Sequence, residues 1–153
     1  MEMKGGLVQG ENFTAAHAGP WNEMMEYVFS PLPQFKFPGK VFLNEALGLN
    51  GMEVSLGVMK PGTQVPYAHA HKENEELYLF VKGQGQFYVD GQVLDVREGS
   101  AVRVAPAGVR CWRNNSTEDL HYIVIQAKAG SLSQYTLTDG IMAVPQFHWP
   151  EEK

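Results

Sequence analysis

Two histidines one residue apart, His69 and His71, precede a carboxylate, Glu76, in a short polar stretch of this chain. Side chains at i and i+2 of an extended strand point to the same side. Both imidazoles can therefore converge on one point, and a carboxylate from the next strand can join them. Two neutral imidazole nitrogens and one carboxylate oxygen suit a first-row transition metal and leave coordination positions open for water or substrate. The chemistry implied is that of a Lewis acid or an O2-binding metal.

The elements that must position these groups read as short strands. Across residues 40–128, apolar-rich runs at Val41–Leu43, Met52–Met59, Val65–His71, Glu76–Val81, Gln86–Val89, Gln92–Val96, Ala101–Ala105, Val109–Arg113 and His121–Ala127 alternate with turn signals. Asp90-Gly91 predicts a two-residue hairpin, and Pro61-Gly62, Lys82-Gly83, Glu98-Gly99 and Ala107-Gly108 supply other turns. No helical periodicity interrupts the series, so the fold class is all-β, a sandwich or barrel. Residues 1–39, rich in Gly and Pro, are expected to be an irregular segment packing on the barrel, with one helical turn within Asn22 to Tyr27. Residues 129–153, with the aromatic cluster Phe147, His148 and Trp149, read as a tail over its outside. Leu77–Val81 and Tyr122–Ile125 are apolar on both faces. A half-buried strand alternates, so something must cover their outer side, and a homodimer is the preferred cover.

The middle of the chain resembles the cupin superfamily. Gly62, His69, His71, Glu76 and Gly83 are similar to its first motif, Gly-x5-His-x-His-x3–4-Glu-x6-Gly, with one extra residue before His69. Gly99, Pro106, Gly108, Cys111 and Asn115 are similar to its second, Gly-x5-Pro-x-Gly-x2-His-x3-Asn, with one extra residue before the proline. The main departure is Cys111, which stands where the second motif has histidine. The spacing to Gly83 selects Glu76 over Glu75, which is expected to face solvent. The resemblance implies a double-stranded β-helix, or jelly roll, whose two sheets enclose a pocket. It also implies a divalent transition metal (Fe, Mn, Ni, Zn or Cu) held by His69, His71 and Glu76, with Cys111 aimed at the same centre. There Cys111 is either a fourth, thiolate ligand or a small buried hydrophobe. The functions implied are a metal-dependent oxygenase, isomerase or lyase acting on a small organic molecule, or a non-catalytic ligand-binding or storage module. Fold alone does not choose between them.

Composition narrows the partners. The chain has 153 residues, a net charge of -5 and a pI near 5.5, with no basic run. Nucleic acid and anionic membranes are therefore poor partners, and a small-molecule ligand is the expected one. No hydrophobic signal segment or membrane-length apolar run is present, so a cytoplasmic location is expected. The only cysteine is Cys111, which excludes an intrachain disulfide. His121 opens a strand and is a weaker pocket candidate, while His17, His148, Arg103, Arg110 and Arg113 receive no role. No nucleophile elbow, phosphate loop or dinucleotide fingerprint occurs.

Overall fold

The computed structural model describes residues 2–143 and 148–151. In chain order it forms β1 (Leu7–Gly10), β2 (Phe13–Ala16), a 3-10 turn (Trp21–Glu26), β3 (Val28–Leu32), β4 (Phe35–Pro38), β5 (Lys40–Phe42) and α1 (Asn44–Leu47). There follow β6 (Glu53–Met59), β7 (Asn74–Lys82), β8 (Gln84–Val89), β9 (Gln92–Arg97), β10 (Ala101–Val104), β11 (Arg110–Arg113), β12 (Leu120–Lys128) and α2 (Thr136–Asp139). A five-stranded sheet ordered β10-β7-β12-β6-β5 faces a three-stranded sheet ordered β11-β8-β9. All their pairings are antiparallel. This is the double-stranded β-helix that the motifs imply. No helix among the described residues is long and apolar enough to cross a membrane.

Side-chain alternation fills the space between the sheets. On β7, Glu76, Tyr78 and Phe80 are buried while Leu77, Leu79 and Val81 are half-buried. On β12, Tyr122 and Val124 face the same interior. With Met59, Phe87, Val96, Val104, Trp112 and Leu120 they form one core. Its aromatic rings meet edge to face, Tyr78 with Phe87 at 4.7 Å and with Trp112 at 5.0 Å between centroids. Such pairs add about 0.5–1.5 kcal/mol beyond the area they bury. Gly57 is required here, because a Cβ would sit 2.3 Å from the Tyr122 ring. The Asp90-Gly91 hairpin joins β8 to β9 with both residues at positive φ, 46° and 85°, the signature of a type I′ turn.

The amino-terminal segment differs from the irregular stretch expected. It contains two hairpins, β1-β2 and β3-β4, and the 3-10 turn falls where the helical turn was anticipated. Met3, Met24 and Tyr27 pack with Val41 and Val58 in a second cluster. That cluster covers the outer face of β5 and β6, so the segment behaves as part of the domain. The tail differs as well. Leu137, Ile141 and Met142 are more than 90% exposed, so residues 130–143 do not pack over the barrel. Of the expected aromatic cluster, Phe147 lies outside the described residues, and Trp149 is exposed.

Asn114 ties the sheets together at the end of β11. Its buried amide donates to the carbonyls of Met59 (2.8 Å) and Glu118 (2.7 Å), and its oxygen accepts from Ser116. Asn114→Ala strands both carbonyls, and the expected loss is about 1–3 kcal/mol of unfolding free energy, measured by urea denaturation.

Candidate functional site

The cavity lies between the sheets at the end where β5 and the β3-β4 hairpin approach. It measures about 480 Å³, within the usual range for small-molecule pockets. His69 and His71 enter it from an extended segment that was expected to be a strand, Val65–His71. The segment makes only isolated bridges, Gln64 with Arg113 and His69 with Arg110. Its backbone is nevertheless held, since His69 and Arg110 exchange both amide hydrogen bonds at 3.0 Å and the His71 N–H donates to Pro106 O at 2.9 Å. The i, i+2 relation therefore survives without a regular ladder.

Glu76 arrives from β7. One nitrogen or oxygen each from His69, His71 and Glu76 lie within 4.8 Å of one another. His71 Nε2 is 3.1 Å from Glu76 Oε1, and His69 Nε2 is 3.8 Å from Oε2. His69 Nδ1 and His71 Nε2 are buried without a hydrogen-bond partner. Glu75 points the other way, as expected, and pairs with Arg103 at 2.6 Å.

Cys111 does not join this group. β11 pairs with β8 so that Trp112 lies opposite Phe87 and Cys111 opposite Tyr88. Paired residues share a face, so Trp112 and Phe87 enter the core while Cys111 and Tyr88 look outward. Cys111 lines a separate, shallow recess with Tyr88 and Val93. The expectation that Cys111 aims at the metal centre is corrected by this one-residue shift in register. The buried asparagine is Asn114, not Asn115. Counting four positions back from it, as the second motif does, gives Arg110.

Arg110 is fully buried. Its Nε and Nη2 donate to Glu76 Oε2 at 3.1 and 2.7 Å, and Nη1 donates to Gly108 O at 2.7 Å. The Tyr78 hydroxyl donates to the same Glu76 oxygen and accepts from Arg110 Nε at 3.3 Å. Burial disfavours the Glu76 charge. The His69 imidazole, the Tyr78 hydroxyl and the Arg110 guanidinium outweigh burial and hold the carboxyl well below its usual range. Burial, reinforced by Glu76, pushes the Tyr78 phenol far up, so it stays a donor. Sequence reasoning assigned Arg110 no role; the alternation of Arg110, Trp112 and Asn114 was the signal that could have found it.

The other candidates lie elsewhere. His121 is buried, but it packs edge to face on Trp21 at 5.3 Å and is absent from the cavity wall. The β3-β4 hairpin supplies a residue set the sequence did not suggest. Phe29 meets Phe42 at 4.8 Å, Phe37 meets Tyr67 at 6.0 Å, and Tyr67 meets His69 at 6.0 Å, forming an aromatic lip.

Comparison with known proteins agrees with this fold. A family model described as a cupin domain matches residues 55–126. A cupin protein from Bacteroides fragilis is 36% identical, with a TM-score of 0.67, over 77% of this chain and 98% of that one. The chain belongs to the cupin superfamily. It is also similar to a protein from Acidithiobacillus ferrooxidans provisionally named a sugar phosphate isomerase, at 26% identity and a TM-score of 0.54 over 58% of each chain. A protein from Thermotoga maritima named as a predicted oxalate decarboxylase shares the fold, at 18% identity and a TM-score of 0.56 over 67% of this chain and 90% of that one. No curated protein matches the sequence.

Removing one partner of a buried ion pair typically costs about 3–5 kcal/mol. In chelator-treated protein, Arg110→Leu is expected to lower the unfolding free energy by about that amount near pH 7. Because the folded Glu76 carboxyl titrates below its ordinary value of 4.5, the pair's contribution is present above that value and is lost as pH falls. The gap between Arg110→Leu and wild type should therefore narrow in acid. Urea titrations at neutral and acidic pH measure it.

Proposed function

We propose that the cavity is a metal-dependent site for a small organic molecule, with His69, His71 and Glu76 as the protein ligands. The observation that carries this reading is the convergence of the three groups, with His69 Nδ1 buried without a hydrogen bond and His71 Nε2, also making none, set 3.1 Å from Glu76 Oε1. Buried polar atoms are nearly always satisfied, and a cation is a partner that two imidazoles converging with a carboxylate would take. A bound divalent metal would supply Lewis acidity or an O2-binding centre. Its identity among Fe, Mn, Ni, Zn and Cu is open to the same donor set.

The chain's own residues set the terms of that chemistry. Glu76 Oε2 is committed to Arg110 and Tyr78, which leaves Oε1, the oxygen nearer His71, for coordination. Arg110 stands at the position of the second-motif histidine and has no lone pair to offer, so the protein contributes three ligands. The aromatic walls exclude water and hold an apolar body beside the centre. Oxygenase, isomerase and lyase chemistry all fit this arrangement, and the isomerase and decarboxylase names of similar proteins fall within those classes. One observation favours the second reading, a non-catalytic binding module: the Arg110 charge neutralises Glu76 and weakens its pull on a dication.

Untagged protein from metal-replete growth is expected to carry close to one equivalent of a transition metal by plasma mass spectrometry, lost in His71→Ala and kept in Cys111→Ala. Arg110→His, which restores a ligand at the register position, should hold metal more tightly than Cys111→His. A wild-type content under about 0.1 equivalents would sink the metal reading.

The homodimer belongs to the same proposal. Leu77 and Leu79 on β7 lie beside Ile125 and Ile123 on β12 on the outer face of the sheet, all four half-buried. The amino-terminal cluster covers only the β5-β6 side. A second copy seated on this patch would remove it from water. Sedimentation velocity should show a dimer for wild type and a monomer for Ile123→Glu.

A further inference from the structure

The charges around the cavity nearly all have partners. Arg110 is consumed by Glu76, and Lys60 pairs with Asp119 at 2.8 Å. Glu53 accepts a hydrogen bond from Gln126 Nε2 at 2.6 Å, while Lys36 is exposed at the mouth. Lys40 is the exception. It lies on edge strand β5, opposite Gly57, with its side chain on the cavity side next to Phe42. It makes no ion pair or hydrogen bond among the described residues. Its ammonium sits over two rings, 5.1 Å from the Phe42 centroid and 5.8 Å from that of Trp112. Glu76 and Glu53 act on it only at a distance.

A half-buried ammonium held against aromatic faces, with its remaining donors unused, is a receptor for an anion. Trp112 connects it to the candidate metal ligands, since the same indole ring lies 6.5 Å from the His69 ring. Tyr122 extends this wall at 5.6 Å from Trp112.

We infer that the cavity takes a small organic anion with a flat apolar body, whose carboxylate or equivalent group pairs with Lys40 while its body lies along Trp112 toward His69 and His71. This rests on the reading of the cavity as the ligand site and adds the substrate class to it. Lys40 then acts as the specificity-determining residue. Burial pushes the Lys40 pKa down in the empty cavity, so an arriving anion relieves a desolvation cost that a neutral ligand leaves in place.

A matched pair of probes tests the charge alone: trans-cinnamate and cinnamyl alcohol, titrated calorimetrically into protein as purified, with metal content measured on the same samples. Wild type is expected to bind cinnamate about tenfold or more tightly than the alcohol, the scale of one charge-assisted hydrogen bond. Lys40→Met should erase that preference by weakening cinnamate far more than the alcohol, and Lys40→Arg should retain it. The inference is overturned if wild type shows no preference, if neither probe binds, or if folded Lys40→Met still prefers cinnamate. The last outcome would assign the anion to the metal. A Lys40-dependent preference in protein without metal would defeat the metal reading alone, and metal without the preference would defeat this inference alone.

Discussion

A carboxylate almost wholly withdrawn from water stays ionised only where the protein replaces its hydration. For Glu76 that replacement comes from two directions. Tyr78 donates from the same strand, and Arg110 donates two hydrogen bonds from the opposite sheet while anchoring its third nitrogen on the Gly108 carbonyl. The ion pair thereby links β7 to β11 across the interior. His69 is tied to the same point, because its backbone exchanges hydrogen bonds with that of Arg110. If the pair were absent and no other cation took its place, the carboxylate would have to take up a proton or leave the interior.

Committing one Glu76 oxygen to structure has a chemical consequence. The carboxylate offers a metal a single remaining oxygen, and it arrives already neutralised by a guanidinium. The site is thus weaker in charge than its donor atoms suggest. The nearby wall compensates in another way, with Trp112, Tyr122 and Phe42 supplying flat apolar surface and Lys40 an unspent positive charge. On the proposed reading, ligand recognition in this cavity would draw on the wall as well as on the metal position.

Much of the barrel was legible along the chain. The strand runs from Met52 onward and the Asp90-Gly91 turn depend on local preferences, alternation and positive φ, which a linear reading captures. The amino-terminal hairpins were not legible, because β1 to β4 are short and interrupted by Pro and Gly, and the residues flanking them, Met3, Met24 and Tyr27, pack on Val41 and on Val58, distant in sequence. The Val65–His71 segment carried a strand pattern, yet it bridges β11 only at two separated points, Gln64 with Arg113 and His69 with Arg110, and so never forms a full ladder. Its histidines still converge, since two isolated bridges are enough to keep the backbone extended.

The amino-acid order by itself determined the all-β class, the cupin resemblance and the candidate set of His69, His71 and Glu76, because these follow from alternation, turn signals and motif spacing along the chain. Which face of β11 looks inward was decided only by the tertiary structure. With a period of two, a shift by one residue exchanges every side chain between faces. The motif written through Asn115 placed Cys111 inside, whereas burial of Asn114 and pairing of Trp112 with Phe87 turn Cys111 outward and bring Arg110 onto Glu76. Local sequence is nearly indifferent between those registers. The packing of a tryptophan and the neutralisation of a buried carboxylate are not.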